Sequence, residues 1–304
     1  MKRLFSLFFL SLILVPFVAA QPNAIIVEYK VNADQTVDFT YRKMEPGRYT
    51  LSVTFTELTN GYANNYVGVV STASGNLFRL KPLNKDQGIG FRFSTNYIRG
   101  MLNPKFDPEF PYLAPFKKQV TFSVEELSDF GTVYFGNTPS KDFKAFMFKS
   151  KTDSSAVACR KGVVIEVEDG RDIDTDKYFS SKQNYIMVEH LDGTLVRYGG
   201  FKKGTILVKK GQFVLPQEEL GYLDTKNEFY RLNVSFFYLE DPKFNVKSKE
   251  NLLNRVNRFG YINPKFSVQQ GVQHLVPGTT YLADYSEDIL FKEYSKKERK
   301  RTIK

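Results

Sequence analysis

Alternation constrains this chain more than any other feature. Between residues 24 and 136, apolar and polar side chains take turns at period two, and turn residues interrupt them at short intervals. Ile25-Ile-Val-Glu-Tyr-Lys-Val31 reads as a strand. So does Tyr49-Thr-Leu-Ser-Val-Thr-Phe55, which follows a Pro46-Gly47 turn. Ile89 to Phe93, Val120 to Val124 and Thr132 to Phe135 repeat the pattern. Period two puts alternate side chains on opposite faces of a sheet, and no 3.6-residue stripe of any length competes with it. The expected fold class is all-β, with an N-terminal antiparallel β-sandwich over 21–138. Asn103-Pro-Lys-Phe-Asp-Pro-Glu-Phe-Pro-Tyr112 reads as a Pro-rich loop, and Asn137-Thr-Pro-Ser140 as a domain boundary.

Residues 139–240 read as a second β domain with stronger turns. Val163 to Glu168 follows Gly162, and Tyr185-Ile-Met-Val188 leads into Asp192-Gly193, a favoured two-residue hairpin turn. Lys203-Gly204 and Lys210-Gly211 punctuate the next strands, and Phe229 to Tyr238 closes the domain. Residues 241–304 form a C-terminal extension. There Leu252 to Phe259 reads as one short helix and Tyr281 to Phe291 as two strands.

The first twenty residues stand outside the fold. Lys2 and Arg3 precede an apolar run from Leu4 to Val15, and Ala19-Ala20 supplies small residues for cleavage. This predicts a secretory signal peptide and an exported protein in the periplasm or cell envelope. The alternative is an uncleaved anchor. The formal charge is +10, and Lys292 to Lys304 alone carries seven Lys or Arg against two Glu. A nearly neutral body thus ends in a basic tail. Such a tail suits either an anionic surface or a solvated terminal helix, and export argues against a nucleic-acid partner.

Composition narrows the chemistry. One cysteine, Cys159, excludes an internal disulfide and any Cys-cluster zinc site, and its apolar context reads as a buried thiol. The two histidines, His190 and His274, cannot fill a three-His metal centre. His190 reads as a hairpin-edge residue and His274 as a loop residue. No nucleophile elbow, phosphate-binding loop or dinucleotide fingerprint occurs. The acidic run Glu166, Glu168, Asp169, Asp172, Asp174, Asp176 lacks the Gly and distal Glu of a calcium loop and reads as a solvated loop. No cofactor and no metal are expected.

About a third of the chain resembles a known family. The stretches are Ala158-Cys-Arg-Lys-Gly-Val-Val-Ile-Glu-Val-Glu-Asp169, Asn184-Tyr-Ile-Met-Val-Glu-His-Leu-Asp-Gly-Thr194, Lys202-Lys-Gly-Thr-Ile-Leu-Val-Lys-Lys-Gly211 and Glu219-Leu-Gly-Tyr222. In this order and spacing they resemble the lysostaphin-type zinc endopeptidase domain, which cleaves peptide cross-links in peptidoglycan. The resemblance implies a β-sheet domain with a zinc site. It places the first ligand pair on Phe143 and Met147, a catalytic His on Gly200, and a closing His-x-His on Asn233 and Ser235. None of these side chains fits zinc, so the resemblance implies a degenerate member that is not an enzyme.

Inactive members of that family bind cell wall or regulate its hydrolases. The expected function is therefore non-catalytic binding of peptidoglycan or an envelope protein. The remnant-groove residues are Arg197, Tyr198, Tyr230, Arg231, Asn233 and Ser235. A structural or surface-assembly role is the alternative, followed by a peptidoglycan-cleaving metalloendopeptidase or another hydrolase with atypical residues, such as a carboxylate pair elsewhere.

Overall fold

The computed structural model describes residues 23–127, 143–172, 183–240 and 259–302. The signal segment, Thr132 to Phe135, the 137–140 boundary, Asp174, Asp176 and most of the expected 252–259 helix lie outside the described residues.

Six strands come first: β1 (Ile25–Val31), β2 (Val37–Lys43), β3 (Tyr49–Thr59), β4 (Tyr66–Val70), β5 (Ser74–Leu80) and β6 (Gly90–Arg99). They form two three-stranded antiparallel sheets, in the orders β1-β2-β5 and β4-β3-β6. Alternation explains the packing. Val37, Phe39 and Tyr41 of β2 point inward, as do Leu51 and Val53 of β3. The Phe39 ring lies 4.7 Å from Phe78 in its own sheet and 5.2 Å from Phe93 in the facing sheet. Aromatic pairs at such distances add to the burial that holds a small sandwich together. The expected sandwich is present. Its second strand, Val37-Asp-Phe-Thr-Tyr-Arg-Lys43, alternates as clearly as the strands read from sequence.

Then come β7 (Pro111–Leu113), β8 (Thr121–Glu126), β9 (Phe146–Ser150), β10 (Ser155–Val157) and β11 (Gly162–Glu168). β12 (Asn184–His190), β13 (Leu195–Ile206), β14 (Phe213–Val214), β15 (Glu219–Leu223), β16 (Thr225–Lys226) and β17 (Phe229–Leu239) follow. The described chain closes with β18 (Phe259–Tyr261), β19 (Lys265–Val268), β20 (Gly271–Gln273), β21 (Thr280–Leu282), α1 (Glu287–Leu290) and α2 (Lys296–Thr302). One large sheet runs β14-β11-β12-β13-β17-β9-β8-β21, and a small sheet β20-β19-β7 lies beside it with β7 and β19 parallel. The expected second strand within Tyr281 to Phe291 is instead helix α1. Glu287 and Asp288 occupy its first turn, where acidic side chains suit the helix dipole.

Sheet membership changes near Gly100, ahead of the expected boundary at 138. β7 and β8 belong with the second unit, and Phe110, Tyr112, Phe116 and Phe122 lie in its core. Residues 259–283 join the same core through Ile262, Phe266, Val268, Leu275 and Tyr281. Fully burying each such side chain stabilises the fold by about 1.5–3 kcal/mol.

The two units meet at one corner. The Arg48 backbone N–H donates to Glu189 Oε2 at 2.7 Å, and its guanidinium donates to Glu189 Oε1 at 3.1 Å. The same guanidinium reaches the carbonyls of His190 at 3.3 Å and Leu191 at 2.8 Å. Lys210 pairs with Glu45, and Arg99 donates to the carbonyl of Ile165 at 3.3 Å.

Candidate functional site

Strand parity decides what the large sheet presents on each side. Along β17, Leu232, Val234 and Phe236 face the main core, as do Val196 and Tyr198 of β13. The intervening residues face the other way. Register puts Arg197 opposite Ser235 and Met187, and Gly199 opposite Asn233 and Tyr185. Asn233 in turn lies opposite Met147, and Arg231 opposite Lys149. Four of the six groove residues named from sequence, Arg197, Arg231, Asn233 and Ser235, therefore share one face.

The other two do not. Tyr198 is fully buried on the core face, and its hydroxyl accepts the Cys159 backbone N–H at 2.9 Å. Tyr230 packs against the same core. Both fall at the wrong parity, one residue from the groove residues Arg197 and Arg231, and cannot contact a ligand on the opposite side.

The shared face carries groups that sequence reasoning did not select. The Arg197 guanidinium stacks over the Tyr185 ring at 4.3 Å. The Tyr185 hydroxyl donates to Glu166. Asn233 Nδ2 donates to Gln183 Oε1 at 3.2 Å. Gly199 leaves the space for this: a Cβ there would sit 2.7 Å from Gln183 Oε1 and 3.1 Å from Arg197 Nη1. Asn184, between Gln183 and Tyr185, is fully buried and fully engaged. It accepts from the Arg171 N–H at 2.9 Å and donates to the carbonyls of Arg171 at 3.0 Å and Phe201 at 3.1 Å. The hairpin register supplied the signal for Tyr185, because Asp192-Gly193 places it across from Gly199.

At the lower end the same face turns apolar, with Ile165, Leu195 and Phe237 buried and Met187, Phe259 and Tyr261 packed on them. The Phe143 ring packs against Tyr261 at a tilt of 59°, with centroids 4.9 Å apart.

Two of the positions assigned to zinc chemistry are fixed by packing. Met147 is buried within the sheet. Gly200 has φ +105°, and a Cβ on it would sit 2.6 Å from the Arg231 carbonyl oxygen. That slot takes no side chain without moving the neighbouring strand. Among the described residues, no three His, Cys, Asp or Glu side chains come together as a group able to hold a metal. The residues present do not fit a zinc centre.

The acidic run is largely committed elsewhere. Asp169 accepts the backbone N–H groups of Gly204 at 2.9 Å and Ile206 at 3.2 Å. Glu168 pairs with Arg171 at 3.1 Å, and Asp172 with Lys203 at 2.8 Å.

His190 ends β12 at the hairpin, as expected, and is buried there. Its Nδ1 lies 2.9 Å from the Thr194 hydroxyl, which donates to Asp192 at 2.6 Å. Asp192 pairs with Arg160 at 2.6 Å, and the Arg160 guanidinium stacks 3.7 Å over Phe110. Burial drives the His190 pKa down, and the adjacent Arg160 charge adds to the effect, so the imidazole stays neutral. His274 places Nδ1 3.2 Å from the Pro264 carbonyl. Burial pushes the Cys159 thiol up to about 12, which keeps it protonated and inert.

No family model matches the chain, and no curated protein matches it. A solved structure that it matches is described as a novel M23 metalloprotease, pseudoalterin, from the deep sea. The match is 16% identical, covers 58% of this chain and 96% of that one, and superposes with a TM-score of 0.30. At that score the likeness carries no argument about fold or chemistry.

Proposed function

We propose that this is an exported, non-catalytic protein with a peptidase-like frame, and that it binds peptidoglycan or an envelope protein partner. One observation carries the reading. The sheet face that the resemblance assigns to peptide cleavage holds Arg197 over Tyr185 and Asn233 hydrogen-bonded to Gln183, while the Gly200 slot beside it is closed by the Arg231 carbonyl. Amide, guanidinium and aromatic groups on a rigid sheet supply donors, acceptors and a stacking surface for an extended peptide or sugar. They supply no group that would activate water on a metal.

The test uses the purified full chain and isolated sacculi. Saturable cosedimentation is expected, and Arg197→Ala combined with Asn233→Ala weakens it by about tenfold, the loss of roughly one charge-assisted contact. Stoichiometric zinc together with chelator-sensitive cleavage of cross-linked muropeptides would overturn the non-catalytic reading. Absence of saturable binding to sacculi, with retention of an envelope protein instead, would replace the polymer by a protein partner.

A further inference from the structure

The basic tail is a built element. Lys292 to Thr302 carries two acids, and both are turned into the body. Glu293 receives Arg160 Nη2 at 2.6 Å and Nε at 2.9 Å, and Arg160 is itself buried. Glu298 receives Lys161 Nζ at 2.7 Å. Glu298 also closes a capping box with Ser295. Its carboxylate accepts the Ser295 N–H at 2.7 Å, and the Ser295 hydroxyl accepts the Glu298 N–H at 3.3 Å. The acidic side chains are thus consumed at the attachment points.

The cations point outward. Lys292, Lys296, Lys297, Arg299, Lys300 and Arg301 are all exposed. At 3.6 residues per turn, the five on α2 span an arc of about 200°, and Glu298 lies about 160° from its centre. Arg299 stacks 4.9 Å over Phe291, which steadies one end of the array. Glu287 and Asp288 are exposed on the preceding helix, and Asp284 is paired with Lys118 at 3.1 Å. Helix α2, Lys-Lys-Glu-Arg-Lys-Arg-Thr, contains no apolar side chain that would insert into hydrocarbon.

We propose that residues 292–301 form a pinned electrostatic platform that docks the protein on an anionic lipid surface. The shared chemistry is phosphate. A single free phosphate meets only one or two of these cations, whereas a layer of headgroups meets the whole arc at once. Each Lys or Arg held near such a surface raises affinity about fivefold in low salt. The site is separate from the sheet face described above, so this proposal stands or falls independently of that one.

The full chain is tested by cosedimentation with phosphatidylglycerol-containing vesicles, with pure phosphatidylcholine vesicles as the neutral arm. Binding to the anionic vesicles alone is expected, and it should fall steeply as salt shortens the screening length. Replacing Lys296, Lys297, Arg299, Lys300 and Arg301 together by Gln should weaken binding at least about tenfold. Glu293→Gln with Glu298→Gln adds net positive charge but releases the pinning. It is expected to weaken binding, whereas a merely charge-driven tail would bind more tightly. Equal binding to neutral vesicles, or unchanged binding by the five-Gln variant, overturns the proposal. So does displacement by millimolar inorganic phosphate at constant ionic strength, or retention on soluble polyphosphate with vesicles ignored. If the five-Gln variant fails to fold, the salt dependence and neutral-vesicle arm of the wild-type chain still decide.

Discussion

At position 190 a histidine is enclosed among apolar groups, with its ring 5.8 Å from Tyr112 and its Nδ1 on the Thr194 hydroxyl. The charged groups that face it are Arg160 and Asp192, and burial, reinforced by the Arg160 charge, outweighs the pull of Asp192 and holds the imidazole neutral. A depressed folded pKa means that the unfolded chain takes up a proton that the native protein refuses. Stability from this residue is complete above the ordinary value of 6.5 and is lost as pH falls below it. The depressed Asp192 carboxyl acts in the same direction below 3.8. Thermal unfolding followed between pH 8 and pH 4 should show a loss of about 1.4 kcal/mol per unit below about 6.5, until the folded His titrates. His190→Asn keeps an amide at the Nδ1 position and should flatten that slope. A slope unchanged in the variant would remove His190 as its source. Sequence placed this residue at the hairpin correctly. It missed the burial because the covering groups, Tyr112 and Arg160, come from segments 30 to 78 positions away in the chain.

Strand β13 illustrates what an element reveals and conceals. Its hairpin with β12 was legible because Asp192-Gly193 is a strong local signal, and Gly193 adopts φ +91° as that turn requires. Legible too was the shared parity of Arg197, Asn233 and Ser235, once β17 is laid beside β13. Tyr198 and Tyr230 fall one residue out of that parity, so the groove that the resemblance implies excludes both. What sequence did not show is the irregularity at Gly200, where pairing passes from β17 to β15. Gly200→Ala sets a methyl against the Arg231 carbonyl at positive φ and should destabilise by about 2 kcal/mol or more. Gly204→Ala has positive φ but open space around it, and should lose only about 1 kcal/mol. Denaturant melts of the two variants compare the terms directly. Equal losses would mean that φ, and not contact with β17, accounts for both.

For the whole molecule, the decisive joint is Arg48 with Glu189. The carboxylate is buried, and burial raises its pKa against the pull of Arg48 and Lys43. Removing Arg48 leaves that carboxylate without its guanidinium, and Arg48→Ala should cost about 3 kcal/mol. Limited proteolysis reads the geometry of the loss. Cleavage between residues 100 and 110 is expected to accelerate if the sandwich swings free, and an unchanged pattern would show that the Lys210–Glu45 and Arg99 contacts suffice. This joint was invisible in sequence, because Arg48 and Glu189 are 141 positions apart and neither belongs to a motif. The all-β class was legible throughout, since period two is a local property of the chain.

The pairing of β7 with β19 ties residues 111–113 to residues 265–267, and β8 waits for β21 at residues 280–282. The middle of the chain is therefore completed by segments made much later. The ordering of such long-range contacts must precede the reward for making them, which places this chain among slow folders of high contact order. Until roughly residue 283 has emerged, Phe122, Phe148 and Tyr112 lack their last neighbours. The second unit of the nascent chain is thus left open until then, whereas β1 to β6 pair only among themselves and can close once about residue 100 is out.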